Sequence, residues 1–153
     1  MTPGKSSKAT KPPWVAMAAL RAVVPASIAA CGMLVIDLDF FKNVNDCYGH
    51  LFGDKVLQEF ARLLRTLFRS SDILVRFGGD EFVILIPEVA DEDDPLQIAE
   101  KIRQSLNQPF ALAGQQLHIS CSIGIALYPE HGTDELMLTK NADLAMYRAK
   151  ENG

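Results

Sequence analysis

A surplus of positive charge is the first thing this sequence lacks. Fifteen Lys and Arg stand against nineteen Asp and Glu in 153 residues, a net charge of −4, and the sequence pI is about 5.3. Such a chain has no bulk attraction for polyphosphate backbones, which excludes sequence-independent binding to long DNA or RNA. A nucleotide enzyme is not excluded, because it needs only a few local cations and a metal. Cysteine is scarce too: Cys31, Cys47 and Cys121 are odd in number and widely spaced, with no C-x-x-C pair and no His-x-His cluster. That pattern argues against a disulfide framework and predicts reduced thiols, packed as small core hydrophobes in a cytoplasmic protein. An uncharged apolar run of about 18 residues, as a bilayer-crossing helix requires, is also missing. The apolar stretch from Trp14 to Leu38 is broken by Arg21 and Pro25. There is no internal repeat. What is present, 48% apolar, 22% charged and 8% aromatic, is the composition of one globular domain with a sizeable core.

Residues 1–13, M-T-P-G-K-S-S-K-A-T-K-P-P, have almost nothing to bury and read as a disordered basic tail. Residues 14–31 form an apolar segment, read as a buried helix leading into a strand. Its end, Ile28-Ala29-Ala30-Cys31, also carries the small-residue pattern of a bacterial lipoprotein cleavage site. The apolar run continues without a gap into a strand near Cys31, which favours burial over lipidation.

From there the hydrophobic periodicity gives the elements. Gly32 to Leu38 is a β-branched apolar run, predicting a central strand buried on both faces. Val56, Leu57, Phe60, Leu63, Leu64 and Leu67 recur at helical spacing between Phe52 and Phe68, an amphipathic helix. Two strands, Ile73 to Phe77 and Glu81 to Ile86, flank a Gly78-Gly79 hairpin turn. An acidic loop, Asp91 to Pro95, precedes a helix marked by Leu96, Ile98, Ala99, Ile102 and Leu106. A strand pair, Phe110 to Leu112 and Leu117 to Ala126, turns at Ala113-Gly114, and a last helix runs from about Thr133 to Lys150. The order β-α-β-β-α-β-β-α predicts an α+β fold, a ferredoxin-like or palm-type antiparallel sheet covered by helices on one face.

Two acidic clusters fall where strands end: Asp37 and Asp39 in V-I-D-L-D-F-F-K, and Asp80 and Glu81 just past the glycine turn. If the first strand lies beside the hairpin, Asp37 and Asp80 converge at one sheet edge. Clustered carboxylates repel unless a divalent cation joins them, and oxygen-only ligands favour Mg²⁺ or Mn²⁺. Such a site suits an in-line displacement at phosphorus, and Gly78 and Gly79, without Cβ atoms, let a phosphate or base lie against the backbone. An ordinary Gly-Gly hairpin with solvated acids fits the same spacing equally well. Between the clusters, Phe40 to Asp54 is rich in polar groups. Lys42 can meet a phosphate as a point charge, and Asn45 with Asp54 offers an amide and a carboxylate, a pair suited to the edge of guanine. The same residues also read as a turn at Asn45-Asp46, loop glycines at Gly49 and Gly53, and a helix cap at Asp54. His50 taken alone is an ordinary loop residue.

R-F-G-G-D-E-F, Arg76 to Phe82, resembles the signature of the GGDEF family of diguanylate cyclases. Four further stretches are similar to the family in order: Ile36 to Asp46, Gly49 to Asp54, Ser122 to Pro129 and Ala142 to Lys150. The resemblance covers residues 32–153 and implies condensation of two GTP molecules to cyclic di-GMP and pyrophosphate, each domain of a homodimer presenting one GTP. It implies that Asp37 and Asp80, with the Leu38 carbonyl, ligate Mg²⁺ (or Mn²⁺), with Glu81 as a neighbouring metal-site acid. Asp80 would also accept the 3′-hydroxyl proton, and Lys42 would stabilise transition-state charge. The Phe40 and Phe41 amides would hold phosphates, Asn45, His50 and Asp54 the guanosine, and Lys150 the terminal phosphate. Arg69-Ser70-Ser71-Asp72 stands where the family carries its R-x-x-D product-inhibition site, so Arg69 and Asp72 would bind cyclic di-GMP. The family's opening D-x-L-T-G-L-x-N-R segment is absent, and the chain stops at Gly153, before an Arg that usually joins the Lys150 counterpart. A sensory domain is expected in a full-length parent, which a membrane attachment could accompany. The alternative reading is an inactive GGDEF domain that binds GTP or cyclic di-GMP without turnover.

Overall fold

The computed structural model describes residues 30–91 and 93–152. The expected tail over 1–13 and the apolar segment up to residue 29, with Ile28 and Ala29 of the lipoprotein-like pattern, lie outside the described residues. Ten elements follow in order: β1 (Cys31–Leu38), α1 (Phe41–Tyr48), α2 (His50–Leu67), β2 (Ile73–Gly78), β3 (Glu81–Ile86), α3 (Asp94–Ser105), β4 (Phe110–Leu112), β5 (Gln115–Leu117), β6 (Cys121–Tyr128) and α4 (Glu135–Asn152).

The main sheet has the order β2-β3-β1-β6, and every neighbouring pair is antiparallel. This is the split βαβ arrangement of a ferredoxin-like fold, as the sequence pattern predicts. β1 is central and buried on both faces, and alternation along it sorts the core into two. Leu34, Ile36 and Leu38 meet Val56, Leu57, Phe60 and Leu64 of α2 and Ile102 of α3. Cys31, Met33 and Val35 meet Leu138, Ala142 and Met146 of α4 on the other face. The helices therefore cover both faces, not one. The expectation missed this because the spacing of a helical stripe says that a helix packs, not on which side.

Two elements depart from the sequence reading. Phe41–Tyr48, read as a polar loop, is helical; only Phe41 and Val44 of it pack against the core, too few to mark a period. The single strand expected over Leu117 to Ala126 is two. β5 pairs with β4 in a separate hairpin whose turn residues Ala113 and Gly114 both have positive φ, and β6 begins at Cys121 after a break. The break is fixed from a distance, since Asp39 N–H donates to the Ser120 carbonyl at 2.9 Å.

α4 begins where the Asp134 carboxylate accepts the Met137 N–H at 2.8 Å, a side-chain cap on an otherwise orphaned donor. It can lie close to β6 because residue 124 is glycine: a Cβ there would overlap the Ala142 carbonyl and the Met146 amide. The thiols divide. Cys31 is buried at the start of β1 opposite Tyr128, and burial pushes the thiol of the half-buried Cys121 up to about 12. Cys47, expected in the core, is exposed on α1. Among the described residues no helix is long and apolar enough to cross a membrane.

Candidate active site

The β1 end that carries the acids is built by strand register. Asp37 lies directly opposite Glu81 on β3 and Ser122 on β6, and Leu38 N–H donates to the Asp80 carbonyl at 3.2 Å. Gly78 pairs with Glu81 across the hairpin, so the tight turn is centred on Gly79 and Asp80. Asp80 thus sits in the turn itself, not beyond it. Gly78 has φ +147°, a conformation that favours glycine, whereas Gly79 has ordinary φ and nothing near its Cβ direction. Arg76, which the sequence reading left without a role, holds the turn by donating from Nε to the Gly79 carbonyl at 2.9 Å.

Asp37 and Asp39 have different tasks despite their symmetry in sequence. Asp39 accepts from Ser120 Oγ and Ser122 Oγ, both at 2.8 Å, and so ties the end of β1 to the start of β6. No spacing rule links residues more than eighty apart, so this clasp was invisible in the sequence. Asp37, freed from that task, pairs through Oδ2 with Lys150 Nζ at 2.6 Å, while its buried Oδ1 has no hydrogen-bond partner. Lys150 reaches it from the last turn of α4, one turn beyond Met146 and two beyond Ala142, on the stripe that packs against β6.

The electrostatics match this crowding. Burial raises the Asp80 carboxyl above its usual range, and the charge of the Asp37 carboxylate beside it raises it further. Burial also raises Glu81, followed by the charges of Asp143, Asp37 and Asp80. Asp143, on α4, is a further acid of this face that sequence reasoning did not single out. The hydrogen bond to Asp37 holds Lys150 above the usual range of its ammonium. Among the described residues no three His, Cys, Asp or Glu side chains gather closely enough to hold a metal ion by themselves. Asp37 with its unpartnered buried oxygen and Asp80 beside it nonetheless fit a hard divalent cation. Such ions accept one or two carboxylates and keep the rest of their shell for water and phosphate.

The other candidates lie on the adjoining helices. Phe40 is left-handed, φ 57° and ψ 26°, and 76% exposed; it turns the chain from β1 into α1. Lys42 and Asn45 are three apart on α1, and His50 and Asp54 four apart on α2, so each pair shares a helix face. Asn45 Oδ1 rests on Gly53, where a Cβ would overlap it, and this brings the amide beside the residue preceding Asp54. Asp54 lies inside α2 and does not cap it; the cap position belongs to Gly49. On the opposite flank of α1 a cavity of about 230 Å³ is bounded by Phe40, Phe41, Val44, Cys47 and Ile119, among others, and takes in none of Asp37, Asp80, Asn45 or Asp54.

Arg69 and Asp72 precede the far end of β2, with Asp72 six residues from Gly78 and hence about 20 Å away at strand rise. The two residues close a turn: Asp72 N–H donates to the Arg69 carbonyl at 3.0 Å, and Asp72 Oδ2 accepts the Arg69 N–H at 3.1 Å. The guanidinium bonds the Glu88 carbonyl at 3.2 Å and is 58% exposed, whereas the Asp72 side chain is 1% exposed with Oδ1 unpartnered.

Known proteins resemble this chain in sequence and in fold. The chain is 47% identical over 121 residues to the bifunctional diguanylate cyclase/cyclic di-GMP phosphodiesterase MucR of Pseudomonas aeruginosa, covering 79% of this chain and 18% of that protein. It is 42% identical over 122 residues to the cyclic di-GMP phosphodiesterase PdeR of Escherichia coli, covering 80% and 18%. The chain therefore spans about a fifth of the length of these relatives. The crystal structure of the GGDEF domain of TpbB from Pseudomonas aeruginosa aligns with a TM-score of 0.91 at 37% identity, covering 94% of this chain and 92% of that one. The family model for the diguanylate cyclase GGDEF domain matches residues 21–153, and the chain belongs to that family.

Proposed function

We propose that this domain condenses two GTP molecules into cyclic di-GMP with release of pyrophosphate, two copies each presenting one GTP to the other. The observation that carries the reading is the convergence of Asp37 and Asp80, with an unpartnered buried oxygen, beside Lys150. Asp37, Asp80 and the Leu38 carbonyl would hold Mg²⁺ or Mn²⁺, with Glu81 adjacent. When bound, the ion favours deprotonation of the attacking hydroxyl and offsets triphosphate charge. Asp80, whose carboxyl is raised, is suited to take the 3′-hydroxyl proton. Lys42 faces charge that develops at the transferred phosphorus, the Phe40 and Phe41 amides hold phosphate oxygens, and Lys150 reaches the terminal phosphate. Asn45 and Asp54 read the guanine edge, with His50 beside them on α2. The location is cytoplasmic, where GTP and reduced thiols occur together, and a sensory domain in the parent protein would control dimerisation.

Turnover of GTP with Mg²⁺, followed by identification of the product, tests the reading on wild type with dimerisation enforced by a fused coiled coil. Absence of cyclic di-GMP overturns it. Tight calorimetric binding of cyclic di-GMP without turnover would identify a binding-only domain.

Two variants separate folding from chemistry. Gly79→Ala meets no neighbour and has an ordinary φ, so its stability changes by no more than about 0.5 kcal/mol. Its turnover drops, because the new methyl occupies space where phosphate lies against the turn; a thermal melt beside the turnover assay checks both. Arg69→Ala leaves the initial rate intact and removes inhibition by accumulated cyclic di-GMP, read as a progress curve that no longer bends. The exposed Arg69 fork over the buried Asp72 carboxylate supports that assignment.

A further inference from the structure

We infer that Lys150 is the resident counter-cation of the Asp37–Asp80 pair, and that it makes the domain take its metal together with nucleotide phosphates rather than ahead of them. The inference rests on the proposed metal-dependent reading and adds an order of binding to it.

Lys150 Nζ lies 2.6 Å from Asp37 Oδ2, so one of the two oxygens that Asp37 can offer an ion is already engaged. The other, Oδ1, is buried and unpartnered on the same carboxylate. A divalent ion at Oδ1 and Asp80 would therefore sit within a few ångströms of a fixed ammonium, and that repulsion grows as the inverse of the separation. The two ends of the lysine are held differently. Its backbone is anchored by α4, whose Ala142 and Met146 lie against Gly124 without room for a Cβ. Its side chain is 40% exposed, against 14% for Asp37, so the ammonium can leave the carboxylate while the helix stays in place.

Without the nucleotide the ammonium has nowhere better to go, because the anions around it are Asp37, Asp80 and Asp39. A triphosphate changes this by offering oxygens of its own to both cations at once. Lys150 then moves to phosphate and Asp37 becomes free for the ion. Metal and nucleotide binding are thus positively coupled, and by reciprocity each tightens the other by the same factor. In the free domain Lys150 also holds together acids that would otherwise repel.

The test uses Mn²⁺ as the probe, with its binding to the nucleotide-free full chain followed by electron paramagnetic resonance of the free ion. Lys150→Met binds Mn²⁺ more tightly than wild type, by about tenfold, within the usual range of coupling between sites. Lys150→Gln does the same, and the gain shrinks as salt is raised. A non-hydrolysable GTP analogue tightens Mn²⁺ binding in wild type by a larger factor than in either variant. Mn²⁺ affinity that is unchanged or weaker in both variants, or unmeasurable in all three proteins, overturns the inference. Asp37→Asn distinguishes this from failure of the metal reading itself. If Asp37→Asn binds Mn²⁺ as wild type does, the metal site is wrong; if it loses Mn²⁺ while the Lys150 variants match wild type, only the order of binding is wrong.

Discussion

Replacing Asp80 by Asn is expected to remove the proposed cyclic di-GMP synthesis and at the same time to raise the melting temperature of the metal-free domain at neutral pH. The two effects have one cause. Asp80 is held in the Gly79-Asp80 turn, partly buried and against Asp37, so its carboxyl is raised, and Glu81 next to it is raised as well. A carboxyl whose folded pKa lies above its unfolded one adds stability that is complete below the ordinary carboxylate range, near about pH 4, and is lost as pH rises through the folded value. At neutral pH, then, the wild-type fold works against ionisation of Asp80. Asparagine keeps the shape without the charge. The expected gain is a few degrees, about 2–4 °C for each kcal/mol in a chain of this size. In the proposed reaction, loss of a proton-accepting carboxylate alone would lower turnover by about 10²–10⁴-fold, and loss of a proposed metal ligand would lower it further. Calorimetric melts in EDTA from neutral pH down to about pH 4, beside the GTP assay, measure both. The stability gap between variant and wild type closes as pH falls. A variant that melts below wild type at neutral pH would mean that the Asp80 carboxylate holds the hairpin together, contrary to the crowding argument.

The paired stability and activity outcomes also explain why so much of this domain can be read in its sequence and why particular parts cannot. β1, the β2–β3 hairpin, α2 and α3 follow local rules: apolar runs of strand length, a glycine turn, and stripes at helical spacing. What escaped local rules was settled by distant partners. Leu117, Ile119, Cys121, Ile123 and Ile125 alternate as one continuous strand would, yet the chain breaks between β5 and β6 because Ser120 is tied to Asp39 through both its carbonyl and its hydroxyl. Phe41–Tyr48 is helical although Asn43, Asn45 and Asp46 favour turns. Gly49 closes it with a hydrogen bond to the Asn45 carbonyl at 2.8 Å, and the short helix shares its core contacts with α2.

The candidate site divides in the same way. Asp37 and Asp80 could be brought together on paper from strand adjacency alone. Lys150 could not, since it is 113 residues from Asp37, and only resemblance to the family nominated it. Geometry then gave it a partner that resemblance did not supply, because the ammonium meets a carboxylate before any phosphate is present. Arg76 and Asp39 stand within motifs legible in the sequence, but their work, bracing the turn and clasping β1 to β6, is done through hydrogen bonds to Gly79, Ser120 and Ser122 that no periodicity encodes.

Gly124→Ala is expected to have the largest effect on folding of any single methyl added to this domain. Most glycines here have room or are shaped by φ; Gly124 is neither. It sits in β6, where each added atom on the α4 side meets helix backbone: the Ala142 carbonyl oxygen, the Met146 amide nitrogen and the Met146 Cα. A side chain in the way could rotate, but backbone atoms of a helix move only with the helix. α4 must therefore lift from β6, and with it Leu138, Ala142 and Met146 from Cys31, Met33 and Val35. Overpacking of a well-filled core costs about 1–3 kcal/mol, occasionally more, which lowers the melting temperature by about 2–4 °C per kcal/mol. The functional consequence goes beyond stability. Lys150 is one turn beyond Met146, so a lifted helix draws the ammonium off Asp37, and with it the group that would meet the terminal phosphate. Gly124→Ala thus loses both stability and nucleotide affinity, whereas Lys150→Met loses nucleotide affinity with α4 still seated. A Gly124→Ala protein that melts and binds a GTP analogue as wild type does would show that α4 has slack against β6, and would remove the close approach as the reason Lys150 stands where it does.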